Sequence, residues 1–217
     1  VVNSQTANIN TVLGQTIEIL SSLREILIKS SSEDLIKQAS LFVPPNRKMK
    51  VVDLITEYLE YLGVNVVFVV TGGAALHLIH SFARSKSITV LPMQHEQSGA
   101  MAADSYARIN GVIGVSVATS GPGATNLLTG VCCSYYDGIP TLLLTGQVDS
   151  DKLKTNSNSR QIGFQETNVV DIFKPITKYA KLINNAQEIL FEFEKAIFES
   201  LSGRPGPVLL DICSDIQ

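Results

Sequence analysis

The sequence predicts a doubly wound α/β fold, a mainly parallel sheet flanked by helices, with a helical extension at its N-terminus. Three observations carry this expectation. Apolar runs such as VVFVV at 66–70 are continuous, as strands buried on both faces require. Helix-like segments alternate with those runs, as parallel crossover units demand. Glycine-rich turns, Thr71-Gly72-Gly73 and Ser120-Gly121-Pro122-Gly123, follow two of the runs, at the sheet edge where ligands bind in such folds.

Each element has its own local reason. Residues 1–48 are rich in Ser, Asn and Thr and place Ile17, Leu20, Leu23 and Leu27 at helical spacing. A second short helix is expected from Glu33 to Leu41, and Pro44-Pro45 ends it, so 1–48 reads as a helical extension and 49–217 as the main domain. Val51 to Leu62 is amphipathic at helical period and is stopped by Gly63. Strands are expected at Val66–Val70, Ile88–Pro92, Val112–Ala118 and Thr141–Thr145. Between them lie helices at Ala74–Phe82, from Glu96 to Arg108, and from the Gly-Pro-Gly turn to about Tyr136. Asp149 to Arg160 is a polar loop, Ile176–Ile183 is extended, and Ala186–Leu201 is a helix whose Glu188, Glu192 and Glu194 suggest a partly solvated face. Val208–Ile212 is expected to close the sheet.

Bulk properties bound the function. The chain of 217 residues is 45% apolar and 17% charged, which suits a globular domain with a buried sheet. A net charge of −3 lacks the basic excess of nucleic-acid binders. No apolar run reaches the ~18 residues of a membrane span. Three cysteines without CxxC spacing (Cys132, Cys133, Cys213) read as small buried thiols in a reducing, cytoplasmic compartment. The chain begins at Val1 and reads as a processed product or fragment of a longer protein.

The residue singled out for chemistry is Glu96. At the first turn of a helix, the dipole favours its charged form, whereas burial in apolar surroundings disfavours it. Taken alone, a solvated acid at a helix start is the plainer reading. Ser120-Gly121-Pro122-Gly123 lacks the third glycine of a dinucleotide fingerprint, since Asn126 stands there, and no P-loop pattern exists. The turn better suits the approach of a flat ring, with Asn126 as a polar group one helical turn on. His77 and His80 are three apart on a helix, but nearby ligand partners are missing, so packing or surface roles are favoured over a metal. Gly99, Ala100, Ala102, Ala103 and Ala107, with Ala124 and Gly130, allow close helix approach within the domain or across a symmetric dimer.

Six ordered motifs, HEQSGAMAADSYAR, ATSGPGATNLLTG, YYDGIPTLLLTGQV, GFQET, KPITKYA and SGRPGPVLLDI, resemble the N-terminal, pyrimidine-binding domain of the acetolactate (acetohydroxyacid) synthase family of thiamine diphosphate enzymes. The resemblance covers about Lys50 to Gln217 and implies the thiamine diphosphate-binding fold. It implies that Glu96 hydrogen-bonds N1′ of the aminopyrimidine, favouring the tautomer whose 4′-nitrogen takes the thiazolium C2 proton. Attack on a 2-keto acid such as pyruvate then follows, with loss of carbon dioxide and addition to a second carbonyl compound. Thr71, Gly72, Gly73, Pro122 and Asn126 match positions lining the pyrimidine, and Phe164 and Gln165 match a pair on the substrate side.

The chain also departs from the family pattern. Thr71 stands where a Pro usually precedes Gly-Gly, Asp149 stands where a Pro follows GQV, and the Asp149–Gly163 loop is longer. These features look like the acetolactate-synthase-like proteins of surface-polysaccharide gene clusters, some of which act on nucleotide sugars, and they leave the acceptor open. The family's Mg²⁺ and diphosphate sit on a Gly-Asp-Gly…Asn motif of a C-terminal domain, which this sequence lacks, as it lacks the middle domain that carries FAD in many synthases. The expectation is therefore an inactive single wall of a two-walled site, in a homodimer or homotetramer. The alternative is a non-catalytic dimerisation module that retains one cofactor-site wall.

Overall fold

A computed structural model describes residues 49–154 and 158–217. The expected helices within 1–48 lie outside the described residues. Six strands form one sheet: β1 Val66–Val69, β2 Thr89–Pro92, β3 Gly114–Ala118, β4 Thr141–Gln147, β5 Tyr179–Ile183 and β6 Val208–Cys213. Their order is β2-β1-β3-β4-β6-β5, and every pairing is parallel. Among the described residues, seven α-helices connect and cover them: α1 Val51–Tyr61, α2 Leu76–Arg84, α3 Glu96–Asn110, α4 Pro122–Asn126, α5 Leu128–Asp137, α6 Val169–Phe173 and α7 Ile189–Leu201. None of the described helices is long and apolar enough to cross a membrane.

The apolar runs form the strands expected of them, and β3, β4 and β6 are buried along their whole length. Leu143 and Leu209 of neighbouring strands pack with Leu127, Val131, Val169 and Phe173 on one face of the sheet. Burying such side chains contributes roughly 1.5–3 kcal/mol each, which is why continuous apolar runs go to the middle of a sheet. The small residues of α3 serve packing inside the domain. A Cβ on Gly114 would lie 1.9 Å from the Ala103 carbonyl oxygen, and one on Gly130 would lie 2.5 Å from the Ala100 Cβ. Helix α3 ends at Gly111, whose N–H bonds the Ala107 carbonyl at 3.1 Å and whose φ of 68° turns the chain out of the helix.

The structure corrects four expectations. The segment after the Gly-Pro-Gly turn is two helices, because the Leu127 N–H bonds the Ala124 carbonyl at 3.1 Å, a tightening that turns Leu127 into the core. The last strand does not close the sheet. Strand β6 pairs with β4 and β5 on its two sides, since its apolar VLLDIC suits the interior, and the half-buried YAKLI of β5 takes the edge. Glu192 of α7 is buried rather than solvated, because the Tyr179 hydroxyl donates to it and Lys181 lies 3.2 Å away. Of the cysteines, only Cys213 is buried, whereas Cys133 is exposed on α5.

Candidate functional site

Strand β1 has β2 on one side and β3 on the other, so the chain reverses its direction of winding there. The loops leaving β1 and β3 diverge at such a switch point and open a crevice at the carboxyl ends of the strands. Thr71-Gly72-Gly73 leaves β1, His95-Glu96 leaves β2, and Thr119 to Pro122 leaves β3. The topology thus brings together the turns and the acid that are separated in sequence.

Thr119 holds the two glycine turns against each other. Its Oγ1 accepts from the Ala74 N–H at 3.2 Å. A Cβ on Gly72 would lie 2.4 Å from the Thr119 Cβ, and one on Gly123 would lie 2.7 Å from its Cγ2. Both positions therefore need glycine for backbone packing. Gly73 by contrast faces open space, with no atom within 4 Å of where a Cβ would stand. The Thr71–Ala74 turn is fixed from behind by Gln217, whose Nε2 donates to the Ala74 carbonyl at 2.6 Å and whose Oε1 accepts from the Leu78 N–H at 3.3 Å.

Glu96 is the first residue of α3 and is 8% exposed. The N-cap is His95, whose Nδ1 accepts from the Gln97 N–H at 3.1 Å, so the helix start is capped without using Glu96. Asn126 Nδ2 donates to Glu96 Oε2 at 2.9 Å. Oε1 takes no hydrogen bond among the described residues and would lie 3.3 Å from a Cβ on Gly123. One carboxylate oxygen is thus pinned and the other is left as an acceptor beside the glycine turn.

Pro122 is the exposed first residue of α4, next to Gly121 at φ 58°. Gln165 also has a positive φ, 58°, and its carbonyl oxygen lies 2.6 Å from where a Gly121 Cβ would be. The Phe164-Gln165 pair is therefore brought to the β3 turn, with Phe164 exposed. Thr71 and Gly73 are exposed at the same edge. His77 and His80 are both exposed on α2, away from any such constellation, and no group of three potential metal ligands occurs among the described residues.

Sequence reasoning missed Thr119, Gln217 and a buried polar group under β4. Asp211 of β6 is fully buried and accepts from Thr145 Oγ1 at 2.7 Å and from Gln147 Nε2 at 2.8 Å. Burial pushes its carboxyl up to about 7 against the lowering effect of those two donors, and burial with the nearby Asp211 charge pushes the Cys213 thiol up to about 12. An aspartate inside the run VLLDIC is the available signal, because a buried acid needs partners.

Residues 49–172 match the family described as thiamine pyrophosphate enzyme, N-terminal TPP binding domain. The chain is 41% identical over 173 residues to the chloroplastic acetolactate synthase of Arabidopsis thaliana, covering 80% of this chain and 25% of that one. It is 42% identical over the same length to chloroplastic acetolactate synthase 1 of Oryza sativa subsp. japonica, of which it covers 26%. The chain thus spans about a quarter of the length of the curated relatives it matches. With its all-parallel sheet, its switch point at β1 and its glycine turns, it belongs to the family of thiamine pyrophosphate enzyme N-terminal, TPP-binding domains.

Proposed function

We propose that this chain forms the pyrimidine-facing wall of the cofactor site in an acetolactate synthase-like carboligase or lyase acting on a 2-keto acid such as pyruvate. The observation that carries the reading is the divided state of Glu96, with Oε2 held by Asn126 and Oε1 without a hydrogen bond among the described residues. A buried carboxyl with one free oxygen can hold or pass a proton at a ring nitrogen. Thr71, Gly72, Gly73 and Pro122 offer a low-profile wall beside it, and Asn126 keeps the carboxyl from turning. Phe164 and Gln165 stand on the side from which substrate enters. When bound, thiamine diphosphate supplies the carbanion chemistry that releases carbon dioxide from the keto acid and joins its remainder to a second carbonyl compound.

The other wall, with Mg²⁺ and the diphosphate, comes from a Gly-Asp-Gly domain of the complete protein, met across a homodimer or homotetramer; FAD, where present, belongs to its middle domain. The cytoplasm suits such an enzyme. The relatives named acetolactate synthases support the class of reaction. The test is Glu96→Gln in the full-length protein. Turnover of pyruvate is expected to fall by about 10²-fold or more while thermal stability is kept. Unchanged turnover overturns the reading. Titrated alone by calorimetry, the 217-residue chain is expected to bind thiamine diphosphate more weakly than micromolar; micromolar or tighter binding contradicts the half-site.

A further inference from the structure

Outside the switch point, the described residues contain a second polar assembly that the cofactor reading does not use. Gln147, the last residue of β4, is buried, and all its side-chain hydrogen-bonding groups are engaged. Nε2 donates to Asp211 Oδ2 at 2.8 Å and to the Thr167 carbonyl at 2.9 Å, and Oε1 accepts from the Val148 N–H at 2.9 Å. An amide has two N–H donors, and here each has one acceptor. The Asp211 contact, with Thr145 supporting the other carboxylate oxygen, fixes which way the Gln147 amide points.

The Thr167 carbonyl also accepts from the Val169 N–H at 2.8 Å, at the start of α6. Thr167 lies two residues beyond Gln165, and its hydroxyl donates to the Gln165 carbonyl at 3.4 Å. The segment between is held by few other tethers: the Glu166 N–H bonds the Gly163 carbonyl at 3.1 Å, and the Glu166 carboxylate accepts from the backbone N–H groups of Lys154 and Ile162. Those tethers are exposed and lie within the loop itself. Among the described residues, Gln147 is the side chain whose hydrogen bonds tie it to the buried sheet. Beside it lies a cavity of about 460 Å³ between β4, β6 and Thr167-Asn168-Val169, so packing does not replace the tether on that side.

We infer that Gln147 is a positioning residue for the substrate-side pair Phe164-Gln165, acting through the Thr167 carbonyl, with Asp211 holding its amide in register. The inference rests on the reading of that pair as the substrate side. It predicts an asymmetry between two substitutions. Gln147→Leu keeps the bulk and removes both donors, releasing the loop. Asp211→Asn keeps an acceptor for Gln147 Nε2 and, with its amide turned, a donor for Thr145, so the loop stays in place.

The sequence has no tryptophan, so Phe164→Trp makes a single reporter at an exposed loop position of this chain. In that background, acrylamide quenching and anisotropy of the indole are compared for the parent, Gln147→Leu, Gln147→Asn and Asp211→Asn. Gln147→Asn is shorter by one methylene and cannot span Asp211 and Thr167 together; it serves if Gln147→Leu loses its circular dichroism. Greater quenching and lower anisotropy in the Gln147 variants, with parent values in Asp211→Asn, support the tether. Identical values in all four overturn it.

In the full-length protein without the reporter, Gln147→Leu or Gln147→Asn is expected to raise KM for the keto acid about tenfold, with thiamine diphosphate affinity unchanged. Asp211→Asn is expected to keep the parental KM. An unchanged KM in the Gln147 variants removes the positioning role. A full-length parent protein that turns over no 2-keto acid overturns the proposed function instead, and the indole measurements still decide whether Gln147 holds the loop.

Discussion

Asn126 Nδ2 donates to Glu96 Oε2 at 2.9 Å, joining the end of α4 to the start of α3 across thirty residues of sequence. The bond leaves Glu96 Oε1 as the oxygen beside the Gly-Pro-Gly turn. Asn126 sits on a helix of five residues that begins at Pro122, so its reach depends on the Gly-Pro-Gly turn placing that helix.

If this contact orients the carboxyl, Asn126→Ala in the full-length protein should lower turnover by about tenfold, less than the loss expected for Glu96→Gln. The helix is short and Asn126 exposed, so the melting temperature should barely move. Steady-state kinetics with pyruvate and a thermal melt check the two parts together. A turnover equal to wild type would show that Glu96 needs no orienting partner.

Gly114→Ala should destabilise the domain by about 1–3 kcal/mol or more, because a methyl there would stand 1.9 Å from the Ala103 carbonyl oxygen. Backbone rather than a flexible side chain meets it, so relief requires α3 to move off β3. Gly73→Ala, where nothing lies within 4 Å, should cost little by the same contact argument. Urea unfolding of the two variants side by side measures the contrast.

Asp211 makes stability depend on pH. Its carboxyl is raised by burial from 3.8 to about 7, so between those values the unfolded chain has lost a proton that the folded chain keeps. The contribution is fully present below the unfolded value and is lost as pH rises through about 7. Denaturation midpoints should therefore fall from pH 4 toward 7, and Asp211→Asn should flatten that part of the profile. The neighbouring Cys213 thiol, raised to about 12, stays protonated over this window.

The apolar runs, their alternation with helices and the glycine turns determined the parallel α/β fold, because strands buried on both faces leave little choice of residue. Glu96 at a helix start and Asn126 one helical turn after the glycine turn were legible from the local pattern of helix and turn. The break at Leu127, the burial of Glu192 and the inner place of β6 were not, since each depends on which surface another segment covers. Only the tertiary structure decided that Thr119 clamps Gly72 to Gly123, that Gln217 backs the Thr71–Ala74 turn, and that Asp211 and Gln147 meet under the Gln165 loop. Those contacts join residues dozens of positions apart. Periodicity reports the faces of an element, and the partners across a sheet edge follow from the order in which strands pack.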